Sequence, residues 1–192
     1  MPTSVTKVLI KILMRNLSDD IDTDMLLNVA AKNKVLLHVL RVLNVKNDLR
    51  AEQERAFKKF LAQVKEVHKA LEGVNYAFFK LMKPIIYVPA DIDVLIDEDN
   101  IDEAVYKLSK MGYHVIVREP FTITVNKRRK DSFNVDLYVH PSMGGVVYLD
   151  GSRLLRHKVT VDLYDISIPS LPSYIEALVV VAHALYLSLI HI

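Results

Sequence analysis

The stretch Asp91-Ile92-Asp93-Val94-Leu95-Ile96 decides the fold. It alternates, with Ile92, Val94 and Ile96 on one side of an extended chain and Asp91, Asp93 and Leu95 on the other. A run so rich in β-branched residues reads as a strand buried at least partly on both faces. Its two carboxylates, two residues apart, then point the same way. Like charges side by side repel, and desolvating each costs on the order of a few kcal/mol. A hard divalent cation such as Mg²⁺ offsets both costs. A bare Asp-x-Asp is a weak signal, because Asp20-Ile21-Asp22 repeats the tripeptide in a polar run ahead of a helix. There a solvated cap is the expected role.

Downstream, Asp99 and Asn100 are placed to cap a helix that ends at Gly112. Residues 113–118 read as a strand. Residues 121–126 and 133–140 read as a hairpin, with 127–132 as its turn. On the second hairpin strand Phe133, Val135, Leu137 and Val139 share one face, and Asn134, Asp136, Tyr138 and His140 the other. If that strand pairs with the Asp-Ile-Asp strand, Asp136 completes a cluster of three carboxylates. Such a cluster can hold two Mg²⁺ ions across an in-line phosphoryl displacement. Val161-Asp162-Leu163-Tyr164 duplicates Val135-Asp136-Leu137-Tyr138 within a strand read over 159–168. Asp136 is the expected third ligand, because its hairpin begins soon after the Asp-Ile-Asp strand and its crossover helix, whereas Arg153, Arg156, His157 and Lys158 precede Asp162 and offer it ion-pair partners. Gly144-Gly145 reads as a flexible loop. Ser173 and Glu176 form a capping-box pattern for the last helix, with Ser170 as the competing cap. His183, in that apolar helix, reads as a core histidine, and His140 as a structural one close to Asp136.

Upstream, residues 76–81 read as a strand, and Pro84 and Pro89 bracket a loop. Residues 1–72 read as helical, with no glycine before Gly73. One helix is expected over 25–43, with Asp22, Thr23 and Asp24 at its cap. Another follows Asn47 and Asp48, with Leu49, Phe57, Phe60, Leu61, Val64, Val67 and Leu71 on its apolar face and Gly73 as its C-cap. The expected organisation is therefore a helical subdomain over 1–72 and an α+β domain over 73–192 that ends in a core helix.

Composition limits the alternatives. The 192 residues carry 25 basic and 23 acidic side chains, a net charge of +2, which gives no global pull toward nucleic acid or membrane. A hydrophobic content of 51% excludes a disordered chain. The absence of cysteine excludes disulfide scaffolds, thiolate zinc sites and a thiol nucleophile, and fits a cytoplasmic protein. The seven histidines lack zinc-motif spacing, and there is no Gly-x-Ser-x-Gly elbow and no P-loop. Lys127-Arg128-Arg129-Lys130 reads as a soluble turn. Lys7 and Lys11 interrupt the first apolar run, while Glu176, His183 and His191 interrupt the last, so no membrane span is expected. The helix that stops at Ile192 without a polar cap suggests a truncated chain or an apolar end covered by a partner, a homo-oligomer among the options.

Phe79-Lys80, a Tyr-Pro-bearing loop, the Asp91–Ile96 strand, a capped helix and Val135-Asp136-Leu137-Tyr138 follow in an order that resembles the nucleotidyltransferase superfamily that includes DNA polymerase beta. More narrowly, the chain is similar to an uncharacterised nucleotidyltransferase-like family with a Leu-Lys-Gly strand, an Asp-Ile-Asp strand and a later Asp-Leu strand. LLNVAAKNKVLLHVL and IPSLPSYIEALVVVAHALY resemble its N- and C-terminal helices, so the likeness covers residues 22–187. It implies a mixed sheet flanked by helices. It also implies metal-dependent transfer of an NMP from an NTP, ATP being the expected one, to a hydroxyl acceptor with release of pyrophosphate. Asp91 and Asp93 match the family's metal-binding pair, for two Mg²⁺ ions or Mn²⁺ in their place. Asp136 matches the third carboxylate, which binds a metal and helps deprotonate the acceptor. Lys80 matches the strand lysine, for nucleotide binding. The chain departs from the pattern at Leu81, where the family has glycine, and it lacks a clear Gly-Ser phosphate loop before Asp91. The alternative is an inactive fold that senses nucleotides or docks a partner. Nucleic-acid binding through the N-terminal helices is the weakest reading, because acids dilute their basic residues.

Overall fold

The computed structural model describes residues 5–14, 23–81, 83 and 85–190. The Asp20-Ile21-Asp22 segment with its cap, Pro84 and the terminal Ile192 lie outside the described residues. The chain divides into two compact units, Met1–Ala62 with Lys83–Pro89, and Gln63–Met82 with Ala90–Ile192.

In the first unit, helices α1 (Val5–Leu13), α2 (Thr23–Lys32) and α3 (Leu36–Val42) pack around Val8, Leu9, Ile12, Leu26, Ala30, Val39 and Leu40. Each large aliphatic side chain so buried contributes about 1.5–3 kcal/mol. The single helix expected over 25–43 is in fact α2 and α3, broken at Lys34, whose φ is 58°. The amides of Lys34 and Val35 turn back to the carbonyls of Ala31 and Ala30, which ends α2 and re-aims the chain so that both helices bury their apolar faces. Arg41 makes a two-pronged pair with Glu54, Nε to Oε1 at 2.8 Å and Nη2 to Oε2 at 2.6 Å. Glu54 belongs to α4 (Asp48–Ala70), which runs from this unit into the second.

The second unit is a mixed α+β fold. Its strands are β1 (Tyr76–Phe78), β2 (Asp91–Ile96), β3 (His114–Arg118), β4 (Thr122–Asn126), β5 (Asn134–Tyr138), β6 (Ser142–Met143), β7 (Val146–Val147), β8 (Val159–Leu163) and β9 (Ile166–Ser170). Seven of them form one sheet in the order β3-β4-β5-β2-β1-β9-β8, and β6 and β7 form a small hairpin turned by Gly144 and Gly145. The pairs β2–β5 and β1–β9 are parallel and the other pairs antiparallel. The strand expected over 159–168 is a two-stranded hairpin instead. The chain reverses at Tyr164, φ 58°, and Leu163 pairs with Ile166.

Helices cover both faces. Ile92, Val94 and Ile96 are buried on the face where Tyr76 lies opposite Ile96. Tyr76 shares a 2.5 Å hydrogen bond with His68 of α4, which brings the end of α4 to that face. The buried Val64 and Val67 of α4, and Leu71 just beyond its end, recur at three- and four-residue spacing. Helix α5 (Ile101–Lys110) adds Ala104 and Leu108. On the opposite face α6 (Gly151–Leu155) and α7 (Ser173–Ile190) close over Ala77, Phe79 and Leu95 with Leu154, Leu155, Ile175 and Val179. Asp91 and Asp93 lie on the same face as Leu95, and the Asp93 side chain is 11% exposed. Beyond its packed stripe, α7 leaves Tyr174, Leu178, Val181 and Leu185 exposed. Among the described residues no helix is long and apolar enough to cross a membrane.

Candidate active site

The β2–β5 register brings the carboxylates together. Asp93 lies directly beside Asp136, and Asp91 beside Asn134, on parallel neighbouring strands. Paired residues of adjacent strands point to the same face, roughly 5 Å apart at the backbone. Asp91 and Asp93 share one sheet face by their alternation, and the pairing of β2 with β5 adds Asp136 to it. Asp162 does not join them. It is exposed on β8, which β1 and β9 separate from β2, and its Oδ1 accepts a 2.6 Å hydrogen bond from Ser167 of the facing strand. Of the basic side chains that precede it, Arg153 pairs with Asp150 and Lys158 donates to Asn75.

Lys80 enters this face from the end of β1. Its Nζ donates to Asp93 Oδ1 at 3.1 Å, with the lysine side chain 16% and the aspartate 11% exposed. The ammonium also lies 4.8 Å and 4.9 Å from the ring centroids of Phe79 and Tyr138. Their π faces favour the cation where water is scarce. Lys80 has φ 58°, a left-handed conformation that costs a non-glycine residue about 1–2 kcal/mol. Its amide is held there by Glu176, which is 3% exposed and accepts the Lys80 N–H at 2.7 Å through Oε2. Glu176 was expected to cap its own helix with Ser173. Its carboxylate reaches Lys80 instead, and the Pro172 carbonyl receives the amides of Ile175 and Glu176. Ser170, the competing cap, lies in β9 and donates to the Phe78 carbonyl.

Burial pushes the Asp93 carboxyl up to about 6. The Lys80 ammonium opposes this, while the neighbouring Asp91 and Asp136 add to it. Asp136 is also raised by burial, although its Oδ1 accepts a 2.6 Å bond from Thr124, the residue beside it on β4. The donor set suits a hard cation in kind, with carboxylate oxygens on adjacent strands whose repulsion and desolvation an ion would offset. As they stand, one oxygen of Asp93 is engaged by Lys80 and one of Asp136 by Thr124. Among the described residues no three histidine or acidic side chains converge closely enough to hold a metal ion.

Sequence reasoning missed part of this face. His183 is not a core histidine. It is half-buried, with Nδ1 3.0 Å from the Tyr148 hydroxyl, and burial together with the Lys80 charge lowers its pKa. Tyr148 stacks on Tyr186, with centroids 5.8 Å apart and planes 24° apart. The helical spacing of Glu176, Val179, His183 and Tyr186 placed these four on one side of α7, but nothing in it showed which side met the carboxylates. His140 has a structural role, its Nδ1 accepting the Gly151 amide at 2.9 Å where α6 begins. In the basic turn, Lys127 pairs with Glu66 and lies over the Tyr113 ring.

No family model and no curated protein matches the chain. Among solved structures, it is similar to lincosamide antibiotic adenylyltransferase LnuA in a lincomycin-bound crystal structure. The identity is 16%, over 62% of this chain and 83% of that one, with a TM-score of 0.45.

Proposed function

We propose that this protein is a metal-dependent nucleotidyltransferase that moves an NMP from an NTP to a hydroxyl acceptor. The observation that carries the reading is Asp93 beside Asp136 on parallel strands, with Asp91 on the same face and the Lys80 ammonium on Asp93. Asp91, Asp93 and Asp136 would hold divalent cations, Mg²⁺ or Mn²⁺. Such ions, when bound, supply charge neutralisation for the triphosphate and the departing pyrophosphate. Lys80 would meet the triphosphate as a point charge. Asp136 would take the hydroxyl proton as the acceptor oxygen bonds to the α-phosphorus and the bond from that phosphorus to the pyrophosphate oxygen breaks.

The engagement of Asp93 by Lys80 and of Asp136 by Thr124 favours a second reading, a fold that binds nucleotides without turning them over. Two measurements separate these. Manganese titration followed by electron paramagnetic resonance should show binding to the wild type and to Asp162→Asn, and none to Asp93→Asn. Unchanged Mn²⁺ affinity in Asp93→Asn sinks the metal site. Pyrophosphate release from NTP should fall by about a hundredfold or more in Asp136→Asn. Metal and nucleotide binding without any such release would leave the sensing module.

A further inference from the structure

We infer that Tyr148 and Tyr186, with His183 bonded to Tyr148 beside them, form a stacking shelf for the base of the bound nucleotide. This rests on the nucleotide reading of the carboxylate face. Helix α7 carries Glu176, Val179, His183 and Tyr186 along one side. Glu176 fastens that side to Lys80 at one end, and Val179 buries it beside Phe79 and Leu95. The same side then emerges from the core at His183 and Tyr186, both half-buried. Tyr148 rises to meet them from the loop after β7, bonded to His183 and stacked on Tyr186.

The shelf adjoins the proposed phosphate end of the site. His183 follows Val179 by one helical turn, and Val179 packs with Phe79 and Leu95, the former lying under the Lys80 ammonium that bonds Asp93. In a nucleoside triphosphate one sugar joins the base to the phosphates. A protein that holds the phosphates at Lys80 and the carboxylates therefore presents the base to whatever flat surface lies beside them. Two rings 24° from parallel already form an offset stack that a third planar ring can extend. Base–aromatic stacking is worth about 1–3 kcal/mol per base by alanine substitution, roughly 5- to 150-fold in affinity. Stacking reads the π face that every base has, so the four NTPs should bind within about an order of magnitude of one another.

Calorimetric titration in Mn²⁺ with ATP and with inorganic tripolyphosphate tests this. Wild type should bind ATP at least about fivefold more tightly than tripolyphosphate. Tyr186→Ala should lose that excess and keep its tripolyphosphate affinity, while Tyr186→Phe keeps both. Circular dichroism checks that each variant folds, and the Phe variant carries the test if the Ala variant does not, since loss of the excess in Tyr186→Phe also overturns the shelf. Equal affinity for the two ligands in the wild type overturns the inference, and so does an ATP excess that survives Tyr186→Ala. Failure of the wild type to bind Mn²⁺-tripolyphosphate is a different result: it removes the phosphate reading at Lys80 and the carboxylates, and the shelf falls with it.

Discussion

Replacing Asp93 by Asn should stabilise the metal-free protein, and the gain should depend on pH. Burial beside Asp91 and Asp136 holds the Asp93 carboxyl at about 6, against an ordinary 3.8. Folding therefore takes up a proton at this group between those two values. Stability from it falls as pH rises through that window, and the whole penalty is present above about 6. A displacement of that size corresponds to about 3 kcal/mol. Part of the gain is offset because Lys80 loses its bonded partner, although Asp136 remains near enough to feel the ammonium. The net expectation in EDTA at pH 7.5 is a stabilisation of about 1–3 kcal/mol, or a rise of several degrees in melting temperature for a chain of this size. Urea denaturation at pH 7.5 and pH 4 measures it, and the two proteins should converge at the lower pH. A variant less stable than wild type at pH 7.5 refutes the reasoning, as does a difference that is the same at both pH values.

Gly151→Ala would place a Cβ 1.9 Å from the Val139 carbonyl oxygen and 3.0 Å from Leu95 Cδ1, so the backbone of α6 must move and the amide bond to His140 suffers. A loss of about 3 kcal/mol or more is expected in chemical denaturation, and a loss under about 1 kcal/mol would show that Gly151 is not seated against Val139 and Leu95. Glu176→Ala strips the acceptor from the buried Lys80 amide and should cost about 2–4 kcal/mol, with the Lys80 amide proton resonance moving upfield. Glu176→Gln retains an acceptor oxygen and should lose less than half as much; an equal loss would mean that charge, not the hydrogen bond, holds Lys80. In the first unit the Arg41 guanidinium keeps Glu54 below its ordinary 4.5, so the pair stabilises above that value and its contribution fades as pH falls through the lower folded one. Glu54→Gln, at a site about a quarter exposed, should cost under about 1 kcal/mol at pH 7, and the difference from wild type should shrink as the solution is acidified below 4.5.

Alternation in residues 91–96 and 133–140 determined, from the sequence alone, that Asp91 and Asp93 share a face and that Asp136 sits opposite Val135 and Leu137. Helical spacing likewise determined the buried stripe Phe57, Phe60, Val64 and Val67 of α4 with Leu71 just beyond it, while Leu49 and Leu61 of the same expected face are half-buried. Such patterns are legible because each depends only on the pitch of one element, which consecutive residues record. The breaks at Lys34 and Tyr164 were not legible. Both residues take left-handed conformations that local preference disfavours, and the packing of the flanking segments overrides that preference. The choice between Asp136 and Asp162, set in identical tetrapeptides, lay with strand order: β5 pairs with β2, while β8 sits at the sheet edge. The partners of Lys80 and His183 lay with the docking of α7 and the path of the loop after β7. Register and docking are settled by contacts between residues far apart in the chain, whose free energy no local window of sequence contains. The sequence thus supplied the carboxylates and their face, and the tertiary structure alone decided which ammonium, glutamate and aromatic rings stand around them.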